Sequence, residues 1–125
     1  MGRLHDDHII GYSVNLKEKS IMIQTYNASE KRRSTIYFEG VLTHSFKGIL
    51  EFNQILDIYD CETDSFVKDN QEELMKMKDH CWPIDYQTEQ ELAAFLNADQ
   101  YRYIKIDSSY GMSGWILAKS YRLDE

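Results

Sequence analysis

The chain has 125 residues, of which 42% are hydrophobic and 13% aromatic, enough to bury the core of one domain. Its formal net charge of −7 and isoelectric point near 5 argue against nucleic acid as a direct partner. No apolar run approaches the length of a membrane span, and the first residues lack the apolar core of a signal peptide. We therefore expect a cytoplasmic protein with no nucleic-acid or membrane partner.

The net charge is concentrated in the middle of the chain. Residues 60–100 carry eleven acidic and three basic side chains, whereas residues 1–59 carry seven of each kind. Because charge of one sign favours a partner of the other sign, this segment predicts a protein partner with a basic surface. The predicted acidic face consists of Asp69, Glu72, Glu73 and Asp79.

Alternation of apolar and polar residues predicts three strands in the first third of the chain. These strands span residues 8–16, 20–26 and 35–42. The buried face of the first is predicted to carry Ile10, Tyr12, Val14 and Leu16. Gly40 could mark a bulge in the third. Three strands joined by short polar segments indicate an antiparallel meander.

The middle of the chain predicts one more strand and two helices. Residues 53–60 fit a strand or a short helix, and we favour a strand because their apolar residues form no helical stripe. Apolar residues three and four apart predict a helix over 65–80, which ends before Pro83. Thr88, followed three residues later by a glutamate, predicts a capping box at the start of a helix over 89–97.

Two final strands are predicted over residues 101–107 and 115–121, joined by a turn that contains two glycines. The order β-β-β-β-α-α-β-β is typical of the α+β class. We expect a single domain over residues 1–125, with a β-meander, two helices and a C-terminal β-hairpin, and with the helices packed on one face of an antiparallel sheet. One shared core is expected to contain Leu74, Met77, Leu92, Phe95, Ile104 and Ile106.

No motif indicates catalysis, a cofactor or a metal, so we predict none of the three. His5 and His8 flank two aspartates and could ligate zinc, but a frayed polar N-terminus explains them better. The carboxylates within residues 57–64 fit a solvated rim better than a general acid–base pair. Cys61 and Cys81 fit buried thiols of a reducing compartment. A metal-dependent hydrolase built on these histidines and the acidic stretch stays open as an alternative.

Aromatic residues crowd the predicted C-terminal hairpin. They are Tyr101, Tyr103, Tyr110 and Trp115, with Tyr121 beyond them. Sheet packing is the favoured explanation, but tyrosine and tryptophan also anchor many interfaces. A second hypothesis is therefore a small-ligand-binding module in which an aromatic-lined sheet holds an apolar ligand. A homo-oligomer is compatible with either role.

The first strands, the segment Phe38–Val41 and the segment Asn53–Ile58 together resemble small bacterial α+β domains. Some of these domains are grouped with the immunity proteins of polymorphic toxin systems. The resemblance implies a small cytoplasmic bacterial protein that neutralises a partner by binding it, and it carries over no functional residue. Our first hypothesis is thus a non-enzymatic binding protein, such as an immunity protein whose acidic segment covers a basic toxin.

Overall fold

A computed structural model describes residues 4–77 and 82–124, which form eight strands and three helices. The strands are β1 (His8–Asn15), β2 (Ser20–Asn27), β3 (Arg32–Glu39), β4 (Thr43–Lys47), β5 (Gln54–Cys61), β6 (Arg102–Tyr110), β7 (Ser113–Ala118) and β8 (Ser120–Asp124). The helices are α1 (Thr63–Asp69), α2 (Gln71–Met77) and α3 (Glu89–Ala98). All strand pairs are antiparallel. The predicted α+β class with an antiparallel sheet is confirmed.

The sheet has the strand order β4-β7-β6-β5-β1-β2-β3-β8, and its two ends are joined. β3 leads through a bend into β4, and β7 leads directly into β8. β3 pairs with β8, and β4 pairs with β7. At the bend, the backbone N–H of Lys119 donates to the carbonyl of Glu39 at 3.1 Å, and that of Leu42 donates to Leu117 at 2.8 Å. The sheet therefore closes on itself, which leaves few unpaired strand edges.

Two glycines permit the close contacts of this closure. Gly40 lies at the bend between β3 and β4 with a φ of +64°, a conformation that L side chains rarely adopt. A Cβ atom on Gly114 would lie 1.9 Å from the carbonyl oxygen of Ser45 in the neighbouring strand. A larger residue at Gly114 would therefore push β4 away from β7.

Alternate side chains of the strands point to the inside of the closed sheet and form an apolar cluster, which we call the sheet core. It consists of Leu4, Ile9, Ile21, Ile23, Ile36, Phe38, Ile55, Ile58, Ile104, Ile106, Met112, Ile116 and Ala118. Every member is buried. The isoleucines dominate because branched side chains suit a pleated, buried surface.

The helices bury their apolar side chains in a second cluster, which we call the helix cluster. It consists of Phe66, Val67, Leu74, Leu92, Leu96, Tyr103, Trp115 and Leu117. Tyr103 and Leu117 alternate along their strands with Ile104 and Ile116 of the sheet core. The prediction of one shared core is wrong, because opposite faces of β6 and β7 serve two separate clusters.

The first strand differs from its predicted pattern. The register between β1 and β2 shifts between Ile9 and Gly11, so Ile9 is buried whereas Ile10 is 52% exposed. A bulge places one extra residue in a strand and turns its side chain outward. The bulge explains why Ile10 is exposed, contrary to its prediction.

Beyond the bulge the predicted face points inward, because Tyr12 pairs with Ile23 and Val14 pairs with Ile21. Val14 is half-buried against the sheet core, whereas Tyr12 is 39% exposed and Leu16, which follows the end of β1, is 81% exposed.

The residues before β1 are part of the fold, and the expectation of a frayed N-terminus is wrong for residues 4–7. Leu4 and Asp7 are fully buried. The Asp7 carboxylate accepts hydrogen bonds from Thr25 Oγ1 and Asn27 Nδ2, each at 3.0 Å, and forms an ion pair with Arg32 at 3.0 Å. A buried charge needs such partners, and the sequence pattern showed no sign of them.

The helical segment is more broken than predicted, and it begins two residues earlier, at Thr63. α1 ends at Asn70, whose backbone N–H and Nδ2 both donate to the carbonyl of Phe66, at 3.2 and 2.8 Å. α2 then begins at Gln71, and the predicted continuation over residues 78–80 lies outside the described residues. Thr88 caps α3 as predicted, because its Oγ1 accepts from the backbone N–H of Glu91 at 3.1 Å.

The predicted strand at residues 53–60 is confirmed as β5. β4 was not predicted, because its five residues, THSFK, show neither strong alternation nor a branched run. The last two predicted strands are longer than expected: β6 extends to Tyr110, and the final segment is divided at Lys119 into β7 and β8.

Candidate functional site

A polar cleft of about 600 Å³ lies where β5 leads into α1. We call it the acidic cleft, and it is lined by Asp60, Cys61, Glu62, Thr63, Asp64, Asn97, Tyr101 and Arg102. The end of β5 and the start of α1 form one wall, whereas α3 and the start of β6 form the other. Three carboxylates, those of Asp60, Glu62 and Asp64, lie together here because the end of β5 is followed almost directly by α1.

The carboxylates of the acidic cleft are only partly neutralised. Asp60 accepts a hydrogen bond from the Tyr121 hydroxyl at 3.0 Å and lies 3.8 Å from the Arg102 guanidinium. Glu62 and Asp64 are exposed, and neither forms an ion pair with another residue within 4–77 or 82–124. Three carboxylates thus face one guanidinium, which leaves a net negative charge in the cleft.

Contacts within the walls hold the acidic cleft in shape. The Thr63 hydroxyl donates to Asn97 Oδ1 at 2.6 Å, which ties the start of α1 to α3. The Tyr101 ring stacks on Phe95 with a centroid distance of 6.1 Å, and the Lys119 ammonium lies 5.1 Å from the Tyr101 centroid. Because these side chains are already held in one position, the binding of a ligand would cost little side-chain entropy.

The one thiol of the acidic cleft is poorly suited to nucleophilic catalysis. Burial is the main cause that raises the pKa of Cys61, and the nearby carboxylates of Asp69 and Asp107 raise it further against the lowering effect of Lys105. A thiol with a raised pKa stays protonated at neutral pH, and the thiolate is the reactive form.

The predicted acidic face is more neutralised than its sequence suggests. Asp69 accepts a hydrogen bond from the Tyr103 hydroxyl at 3.0 Å and lies 3.6 Å from Lys105. Glu73 forms an ion pair with Lys47. Glu72 is exposed in the first turn of α2. Asp79 lies outside the described residues.

The aromatic residues of the C-terminal hairpin are not gathered on one surface. Tyr103 is 1% exposed and Trp115 is 6% exposed, and both pack edge-on against Phe66 in the helix cluster. Their burial leaves them no surface for a partner. Tyr101 lines the acidic cleft, whereas Tyr110 is 56% exposed and lies near Phe52, away from that cleft.

A smaller cleft of about 220 Å³ lies between the end of β1 and the start of β4. Its apolar walls come from Val14, Leu16, Val41 and Leu42, and its polar groups include Lys19 and His44. Burial lowers the pKa of His44, which favours the neutral imidazole at this site.

His5 and His8 contact different groups. His5 Nδ1 lies 2.8 Å from the carbonyl oxygen of Leu56, whereas the His8 ring packs against Phe52 with a centroid distance of 4.2 Å. Within the part of the chain that the structure describes, no group of three or more histidine, cysteine, aspartate or glutamate residues could hold a metal ion.

From the sequence, the carboxylates at the start of α1 fit a solvated rim, and nothing in their pattern reveals the cleft that they line. The cleft depends on Asn97, Tyr101 and Arg102, which follow Asp64 by more than thirty residues. The only signal within the sequence was the density of acidic residues from Asp60 to Asp64, and density alone does not distinguish a cleft from a convex surface.

Comparison with known proteins gives little further information. No protein-family model matches the chain, and no curated protein matches it. Among solved structures, the chain is similar to an uncharacterized protein from Neisseria gonorrhoeae, with 15% identity, coverage of 97% of this chain and 92% of that chain, and a TM-score of 0.46. A similarity this distant says nothing about function. Within the described ranges, none of the helices has both the length and the apolar character to cross a membrane.

Proposed function

We propose that the protein is a non-enzymatic binding protein that takes a basic segment of a protein partner into the acidic cleft. The observation that carries this proposal is the pair of carboxylates of Glu62 and Asp64, which line a cleft of about 600 Å³ without an ion-pair partner among the described residues. An arginine or lysine side chain of the partner would supply the missing positive charge.

The shape and chemistry of the acidic cleft favour a guanidinium group of the partner. Arginine presents a planar fork that can bond two carboxylate oxygens at once, and Glu62 and Asp64 lie on either side of Thr63. The Tyr101 ring of the opposite wall already contacts Phe95 and Lys119, so the preference for arginine rests on this fork geometry. Lysine would gain the charge interaction without the paired hydrogen bonds of the planar fork.

The wider surface supports the same partner class. Residues 60–100 carry most of the excess negative charge, and a field of this sign speeds encounter with a basic surface. We further propose that all three helices lie on one face of the sheet and that the protein is a cytoplasmic protein of a bacterium. A basic toxin neutralised by binding is the partner that the resemblance to immunity proteins implies.

The test uses the protein as bait in affinity capture from a bacterial lysate, followed by kinetics with the captured and identified partner. Glu62→Gln combined with Asp64→Asn removes two charges and preserves side-chain shape. We expect this variant to lose the partner and the wild type to retain it. We expect the free energy of unfolding to change by less than about 1 kcal/mol, since Asp64 contributes only a negative charge at the N-terminus of a helix.

Glu18→Gln is the matched control, because Glu18 is an exposed carboxylate in the turn between β1 and β2. It should retain the partner with unchanged kinetics. The wild-type on-rate should fall by about tenfold or more from low to high salt, because steering is electrostatic. A partner that binds the double variant as fast as the wild type, at all salt concentrations, would contradict the proposal.

A second candidate function is the binding of a small apolar ligand, and the cleft between β1 and β4 favours it. Apolar walls with a few polar groups are typical of ligand sites, although a volume of about 220 Å³ suits only a small molecule. Titration with short-chain alkyl carboxylates, followed by NMR shifts at Val14 and Val41, tests it. No shift with any chain length would remove this candidate.

A further inference from the structure

Exposed apolar side chains are concentrated around the junction of β1 and β5. Nine large hydrophobic side chains of the described residues are exposed. Six of them form what we call the apolar patch: Ile10, Ile49, Leu50, Phe52, Leu56 and Tyr110. Exposed apolar side chains that are scattered singly need no explanation, whereas a contiguous patch of a few hundred Å² is often functional.

Strand register brings three members of the apolar patch, Ile10, Phe52 and Tyr110, to one face of the sheet. The other three members are close to them along the chain, because Ile49 and Leu50 belong to the same loop as Phe52 and Leu56 lies two residues beyond Gln54 in β5. His8 pairs with Gln54, and Gln54 pairs with Tyr110 on its other side. Residues opposite each other in a sheet point to the same face. The hydrogen bond from Ile9 N to Asn53 O, at 2.9 Å, extends this register and places Ile10 opposite Phe52. The Phe52 ring also lies 4.2 Å from the His8 ring and 6.0 Å from the Tyr110 ring, centroid to centroid.

The loop that carries three of these side chains is held rigidly. Asn53 is buried, and its side chain accepts hydrogen bonds from the backbone N–H groups of Leu50 at 2.9 Å and Met112 at 2.8 Å. Its Nδ2 donates to the carbonyl of Leu50 at 2.7 Å. A rigid loop loses little entropy on binding, so the exposed side chains are presented in advance.

We propose that the apolar patch is the interface of a symmetric homodimer. A two-fold axis through the patch covers the same side chains on both copies, and two-fold dimers are the commonest oligomers. At about half exposure the two aromatic side chains present roughly 75–125 Å² each and the four aliphatic ones less, so the six present roughly 300–500 Å². A standard interface uses about 800 Å² per subunit, and homodimer interfaces are about 65% apolar. The patch supplies most of that apolar share.

The distribution of charge favours a second copy as the occupant. Residues 1–59, which supply five of the six patch residues, carry equal numbers of acidic and basic side chains. The acidic cleft begins at the other end of β5, about 20 Å away at 3.3 Å per residue. That distance exceeds the Debye length of about 8 Å at physiological salt, so a dimer through the patch does not force the two acidic clefts together.

The two acidic groups beside the patch do not oppose this arrangement. Asp6 and Glu51 are exposed and would lie at the rim, where water and salt screen their repulsion. His5 lies 3.5 Å from the Asp6 carboxylate on the same copy. The centre of the interface would contain Phe52, Ile10 and Tyr110, which matches the apolar, aromatic centres of known interfaces.

The test measures molar mass by sedimentation and light scattering from micromolar to near-millimolar protein. We expect twice the monomer mass of 14.8 kDa at the higher concentrations. Ile10→Glu and Phe52→Glu should each weaken the dimer by about tenfold or more. Met75→Glu is the matched control, because Met75 is 82% exposed in α2 and lies outside the patch, and it should leave the dimer unchanged.

If Ile10→Glu does not fold, Ile10→Ser removes the same apolar surface without adding charge and should also weaken the dimer. Dimerisation should depend little on salt, which separates it from partner binding at the acidic cleft. A protein that stays monomeric over the whole concentration range overturns the proposal. A dimer that survives both Ile10→Ser and Phe52→Glu overturns it as well.

Discussion

The two apolar clusters differ in how they are assembled, although they share the strands β6 and β7. The sheet core takes buried side chains from β1, β2, β3, β5, β6 and β7 and extends along the chain from Leu4 to Ala118. The helix cluster takes its buried side chains from residues 66–117 only. The sheet core is therefore tied to the whole chain, whereas the helix cluster depends on three short helices and one face of two strands.

This difference predicts unequal cooperativity. Loss of a sheet-core side chain weakens strands on every side of the closed sheet, so the unfolding should be global. Loss of a helix-cluster side chain should first release the helices, because segments with fewer long-range contacts open at lower free energy.

Phe38→Ala should have the largest effect on stability. Phe38 is fully buried in β3 and lies 6.1 Å from the Tyr121 ring of β8, centroid to centroid. Removal of a buried phenylalanine ring costs about 3–5 kcal/mol. Denaturant unfolding followed by both near-UV and far-UV circular dichroism should show one coincident, weakened transition. Leu16→Ala, at a site that is 81% exposed, is the control and should cost less than about 0.5 kcal/mol.

Asp7→Ala should cost nearly as much, by a different mechanism. It removes one member of a buried ion pair and leaves Arg32, Thr25 and Asn27 without their shared acceptor. Breaking a buried pair costs about 3–5 kcal/mol. Asp6→Asn is the control, because the neighbouring Asp6 side chain is exposed and asparagine tolerates the backbone φ of +68° at this position. Equal unfolding midpoints for the two variants would show that Asp7 is not buried as described.

Leu92→Ala should cost about 2–5 kcal/mol, but with a local signature. Leu92 is fully buried in the helix cluster. Amide hydrogen exchange should accelerate in α1 and α3 by more than in β2 and β3. Uniform acceleration across helices and strands would mean that the two clusters unfold as one. An effect below about 0.5 kcal/mol would mean that α3 is not docked.

High pH should have a smaller effect than any of these substitutions, a slight weakening of the helix cluster. Burial is the main cause that raises the pKa of Tyr103, and its hydrogen bond to Asp69 raises it further. Because the folded state holds this proton above the ordinary value of 10, its contribution is complete below pH 10 and is lost as the pH rises further. Tyr103→Phe should reduce this alkaline loss. An unchanged pH dependence of unfolding would contradict the assignment.

Local patterns were sufficient for much of the fold. Alternation located β2 and β5, and the Thr88 cap located the start of α3, because each depends on residues close together in sequence. The sheet closure was not predictable, since it depends on pairs such as Thr35 with Asp124. The bulge at Ile10 was missed because a bulge shifts side chains without changing the residue pattern.

The candidate site was less predictable than the fold. Charge density pointed to residues 60–100, but it could not show that Lys47 pairs with Glu73 or that Tyr103 bonds to Asp69. The apolar patch was invisible for a similar reason. Phe52 and Tyr110 are distant in sequence and meet only through the register of β5 and β6.

The closure of the sheet has a consequence for the order of folding during synthesis. β8 is the strand that covers the outer edge of β3, and it reaches residue 124. The hairpins β1–β2 and β2–β3 can form early, since their partners are adjacent in sequence, but β3 must keep an unpaired edge until the ribosome has made some eighty further residues. At about 5–20 residues per second, this interval lasts several seconds. Nascent chains would then be most exposed to mispairing and to chaperones while β3 waits for β8.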